Sequence, residues 1–81
     1  MEKTQFENYF KNYYALVFRI AFLELKSHAD ADDIVQDVFL KLLLYQPAFE
    51  STEHEKAWLI RITINQCKDY RKNKWNNSTI G

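Results

Sequence analysis

Arg61, Asn65, Lys68 and Lys72 recur at i, i+4, i+7 and i+11, and Trp58 stands just upstream on the same side of a helix drawn at about 100° per residue. The chemistry these types can do together is binding. Arginine and lysine hold phosphates, asparagine can pair two-fold with an adenine edge, and an indole offers a face on which a base can stack. On the other side of the same helix Leu59, Ile60, Thr63, Ile64, Cys67 and Tyr70 gather, and that side is expected to be buried. The plainer alternative is that the cationic strip is only a solvated face.

Residues that could catalyse are few. His28, His54 and Cys67 lack metal-ligand spacing, and neither a nucleophile motif nor a phosphate-cradling glycine loop is present. No cofactor or metal is expected, and an enzyme is the least favoured reading. Cys67 on the core face reads as a small buried hydrophobe. A single cysteine excludes an internal disulfide, which suits a reducing, cytoplasmic setting. His54, near the start of the last helix, is either solvent-exposed or within reach of nucleic acid.

The elements that must position the strip follow from composition. The 81 residues make one domain, and 47% hydrophobic with 16% aromatic content argues against disorder. One glycine and one proline leave few turns and favour a few long helices. The longest apolar segment, 15–25, is interrupted by Arg19 and Glu24 and is too short to span a bilayer, and residues 1–5 carry no signal-peptide layout, so no membrane partner is expected. Net charge is zero but unevenly laid out. Residues 1–55 hold ten acids and five bases, whereas 56–81 hold six bases and the single acid Asp69. Such asymmetry suggests two partners of opposite character; a dipolar domain without further meaning is the bland alternative.

The spacing predicts an all-α fold, a bundle of three to four helices. The first covers about 5–26, with one stripe through Phe6, Tyr9, Phe10, Tyr13, Leu16, Val17, Ile20 and Leu23 and a second through Tyr14, Phe18, Phe22 and Leu25. A helix so apolar must be covered on more than one side, and it is expected to be the scaffold of the core. The second covers about 30–45, capped by Asp30 and ended by Pro47. Its core stripe is Ala31, Ile34, Val35, Val38, Phe39 and Leu42, and its opposite face carries Asp33, Gln36, Asp37, Leu40, Leu43 and Leu44. Leucines inside a polar rim resemble a protein interface; packing against another helix of the same domain is the alternative. A loop over about 46–56 follows, overlapping a third helix over about 53–75 that opens on a Thr52…Glu55 capping box.

Residues 31–40 (ADDIVQDVFL), then Phe49, then Trp58-Leu59 followed by Asn65, Asp69 and Arg71, resemble region 2 of a bacterial sigma factor of the extracytoplasmic-function group of the sigma-70 family. The resemblance covers nearly the whole chain. It implies docking on the β′ clamp helices of RNA polymerase core through Asp33, Gln36, Asp37, Phe39, Leu40 and Leu43, although spacing puts Phe39 at the edge of the core stripe. It also implies recognition and melting of the promoter −10 element. The non-template single strand would be held by Phe49, Glu53, His54 and Lys56 around a flipped base and by Trp58, Arg61, Asn65, Lys68, Arg71 and Lys72 along the helix. The loop departs from the family in being acidic, with Glu50, Glu53 and Glu55, so it would contact base edges only, for instance by accepting from a cytosine amine. The family's second domain, region 4, which reads the −35 element, has no counterpart here, and a monomeric domain of a longer protein is expected. An anti-sigma factor is a further candidate partner, and a protein–protein adaptor without DNA melting is the alternative function.

Overall fold

Two left-handed residues divide the chain. Lys26 (φ 58°) and Gln46 (φ 44°) each donate a backbone N–H to the carbonyl four residues back, closing one helix and turning the chain into the next. Glycine usually takes this position; a residue with a Cβ holds it at a cost of about 1–2 kcal/mol. In the computed structural model, which describes the backbone of residues 1–80 and the side chains of residues 1–74, three helices result: α1 (Lys3–Leu25), α2 (His28–Tyr45) and α3 (Thr52–Ile80). α1 is one uninterrupted helix. α3 continues past position 75, where the sequence predicts its end; the side chain of Trp75 lies outside the described residues.

Both capping predictions move upstream. Ser27, not Asp30, caps α2, with its Oγ accepting the Asp30 N–H at 3.2 Å. At α3 the Ser51 Oγ accepts the His54 N–H at 3.0 Å, one residue before the predicted Thr52 cap. A serine hydroxyl satisfies an open helix end well. In both places the acid expected to do that work turns to another helix instead.

The core sits where the three helices meet. Tyr13, Val17 and Ala21 of α1, the predicted stripe Ala31, Ile34, Val35, Val38, Phe39 and Leu42 of α2, and Leu59, Thr63 and Cys67 of α3 are buried. Ala21 and Ala31 are fully buried, and small side chains there let α1 and α2 approach closely. Thr63 donates its hydroxyl to the Leu59 carbonyl at 2.6 Å, so it enters the core without an unmet polar group. The second stripe of α1 is half covered. Its Phe18 and Phe22 both pack on the His28 imidazole, at 5.2 and 5.0 Å, while Phe10 of the first stripe packs on Phe39 at 4.8 Å. His28 therefore acts as an aromatic cover at the start of α2. No described helix is long and apolar enough to cross a membrane.

Candidate nucleic-acid interface and docking face

Leu59, Thr63 and Cys67 lock the rotation of α3 by facing inward, so residues half a turn away face out. Arg61, Asn65, Lys68 and Lys72 are exposed along that line. Trp58 is half-buried at its head, with its ring meeting Phe49 edge-on at 5.8 Å. Arg61 and Asn65 form a ridge between two open depressions. One, of about 190 Å³, is walled by Tyr45, Trp58 and Ile62; the other, of about 380 Å³, by Ala57, Ile60 and Ile64. Ile60 and Ile64 thus depart from expectation. They are half-exposed, because α1 and α2 both lie on one side of α3 and leave its flank open.

The loop is held from below by α1. Phe49 packs edge-on against Tyr9 at 5.9 Å and His54 at 5.4 Å as well as Trp58, so its ring is a wedge beneath the loop. His54 Nδ1 accepts the Glu50 N–H at 3.1 Å, which fixes the imidazole against the loop backbone. Tyr13 donates its hydroxyl to Glu55 Oε1 at 2.5 Å across α1 and α3. Burial, then this bond, pushes the Tyr13 phenol from 10.0 up to about 12. Glu55 is thereby turned inward, whereas Glu50, Glu53 and Lys56 are exposed. One of the three loop acids that would repel phosphate is removed from the outer surface.

The basic half of the chain is not uniformly available. Arg71 pairs with Glu24 of α1 at 3.2 Å, so its cation is engaged near the C-terminus of α1. Lys74 pairs with Asp30 at 3.3 Å, beside a Tyr70 hydroxyl that donates to the other Asp30 oxygen at 2.6 Å. That hydroxyl bond, ahead of the lysine, holds the Asp30 carboxyl below its ordinary value, and the same bond raises Tyr70 to about 12. Among the described residues, Lys56, Arg61, Lys68 and Lys72 have no ion pair.

The outward face of α2 has the opposite character. Asp33 and Gln36 are exposed, and so are Leu40 (53%), Leu43 (38%) and Leu44 (68%), so none of the described residues buries the leucines. Phe39 is corrected: at 3% exposure it belongs to the core and supports that face from behind. Asp37 is only half-exposed and accepts from Gln66 Nε2 at 3.2 Å, while Gln66 Oε1 takes a bond from Lys41, so these three side chains tie α2 to α3.

Residues 9–77 match the family model for sigma-70 region 2. The chain belongs to the sigma-70 region 2 family. It is similar to the ECF RNA polymerase sigma factor SigM of Mycobacterium tuberculosis, in strains Erdman and H37Rv, with 29% identity over 68 residues, which is 84% of this chain and 35% of the relative. The chain thus spans about a third of the length of those relatives. No solved structure matches. Within this region 2 domain the residues that sequence spacing missed are Tyr9, Tyr13 and Tyr45. Spacing places the first two wholly in the core stripe, and Tyr45 stands at a helix end with no pattern around it. Only proximity to Phe49, Glu55 and Trp58 gives them a part in the site.

Proposed function

We propose that this domain recognises and melts the promoter −10 element by gripping its non-template strand, while docking on the β′ clamp helices of RNA polymerase core, as a sigma factor does in transcription initiation. The observation that carries this reading is the exposed line of Arg61, Asn65, Lys68 and Lys72 beside Trp58, on a different helix from the exposed leucines of α2. An unpaired strand offers phosphates to the cations and base faces to the indole, and a duplex hides the latter. Capturing an extruded base near Phe49–Lys56 offsets a few kcal/mol of unstacking, so melting is binding energy directed at one form of the DNA. Asp33, Gln36, Leu40 and Leu43, with Asp37 at their edge, supply the polymerase contact, an apolar centre with an acidic rim. An anti-sigma factor would compete for the same faces.

Titration of a labelled single-stranded −10 oligonucleotide at several salt concentrations tests the reading. With Lys56, Arg61, Lys68 and Lys72 as the phosphate contacts, log K should fall against log salt with a slope of about −3, from roughly −0.7 per phosphate on single strands. Equal affinity for duplex and single strand, without sequence preference, would overturn it. The competing reading, an adaptor that only binds protein, draws on the exposed leucines. It requires that replacing Arg61, Asn65 and Lys68 together leave DNA contact unchanged.

A further inference from the structure

We infer that Tyr45 and Trp58 are the two aromatic walls of a seat for one unpaired nucleobase of the bound strand, so that Tyr45, at the end of α2, is a nucleic-acid-binding residue. The inference rests on the proposed strand binding and adds a site and a residue to it. Four observations converge on it.

Tyr45 is 63% exposed, a large aromatic ring that the core does not use. It lines the depression of about 190 Å³ with Trp58, Arg61, Ile62 and Asn65. That volume is below the ~300–1,000 Å³ of pockets that take drug-sized ligands, and it suits a single planar ring system. The lining has the parts a base needs: an aromatic residue from each of two helices, an apolar Ile62, an asparagine amide for an edge, and a guanidinium for the adjoining phosphate.

The ring also belongs to this side of α2. Two residues on from Leu43, Tyr45 lies about 160° around the helix from it, away from the leucine face and toward α3. Its backbone is held in place by the turn that follows. Gln46, with φ 44°, returns its N–H to Leu42 at 3.0 Å, and the Gln46 side chain accepts from the Met1 amine at 2.8 Å. A ring on a fixed helix end loses little freedom when a base stacks on it. The charge nearby fits the same occupant. Arg61 borders the seat, and Lys68 and Lys72 continue the cationic line, none with an ion pair among the described residues.

The test uses the 81-residue chain and a fluorescein-labelled single-stranded DNA 12-mer, enriched from a random pool for binding to that chain and read by anisotropy. A set of the same 12-mer is made with one abasic site moved along the strand. For the wild-type chain, one abasic position should weaken binding by about 5- to 150-fold, the range for one stacked base. Tyr45→Ala and Tyr45→Leu, the latter keeping bulk and helix preference, should weaken the intact strand by a similar factor. They should also become indifferent, within about twofold, to the abasic site at that one position, because ring and base act as a pair. Tyr45→Phe should keep both the affinity and the position-specific loss. If Tyr45→Leu binds the intact strand as the wild type does, or remains as sensitive to the same abasic site, the seat is wrong while strand binding stands. If no 12-mer is enriched by the wild-type chain, the strand-binding reading and the seat fall together.

Discussion

The outward faces of α2 and α3 rest on the same core and differ in apolar content and in charge. On α2, Leu40, Leu43 and Leu44 are exposed beyond Asp33 and Gln36, and the nearby Lys41 is half-buried and engaged with Gln66. On α3, Arg61, Lys68 and Lys72 are exposed around Asn65 and below a half-buried indole. Exposed apolar area rimmed by acids is worth burying only against another protein, whereas unpaired cations with aromatic rings suit a polyanion with planar faces. The difference teaches that the zero net charge of the chain conceals two surfaces, held apart by packing. The Asp37–Gln66–Lys41 cluster lies between them and couples their orientation.

If the two faces depend on one core, damage to that core should remove both. Leu42 is fully buried, and Leu42→Ala should cost about 2–5 kcal/mol, lowering Tm and weakening DNA and polymerase binding together. Retention of either activity at full strength in the unfolded variant would break the comparison. If instead the faces are separate, each should fail alone. Trp58→Ala should weaken single-strand binding by about 1–3 kcal/mol while polymerase pull-down is retained, and Lys74→Ala, whose cation is engaged with Asp30, should do less. An inverted order of these two would remove the indole from its role. Conversely, Leu40→Asp should weaken polymerase binding by more than about 1 kcal/mol, as for a central apolar anchor, and leave the oligonucleotide titration unchanged.

The smallest effect concerns the bonds that set the faces at their angle. Tyr13 and Tyr70 titrate near 12 when folded against 10.0 ordinarily. A raised folded value means their contribution is complete below pH 10 and is lost as pH rises toward about 12. Asp30 has the reverse sign: its lowered folded value means stability is present at neutral pH and falls in acid, below the ordinary 3.8. Thermal melts across both limbs should show this. Tyr70→Phe should flatten the alkaline limb and also shrink the acid one, since one bond serves both groups.

Much of this was readable from spacing. The aliphatic positions of α2, with Leu59, Thr63 and Cys67 of α3, were predicted as core from a period of about 3.6, because burial on one side imposes that period. The exposure of Arg61, Asn65, Lys68 and Lys72 follows from the same geometry. Spacing says which residues share a face, but not how much of the circumference a neighbour covers or what meets a charged tip. Ile60 and Ile64 were left open, Arg71 was met by Glu24, and Phe39 was sealed under Phe10. Asp30 and Glu55 matched helix-start patterns, yet serines took the ends and freed both carboxylates for tyrosines on other helices. The amino-acid order by itself determined an all-α bundle, the inner stripe of α2, the family and the cationic line. Only the tertiary structure decided which charges are spent inside the domain and that Tyr45 stands beside Trp58, because those facts depend on distances between residues far apart in the chain.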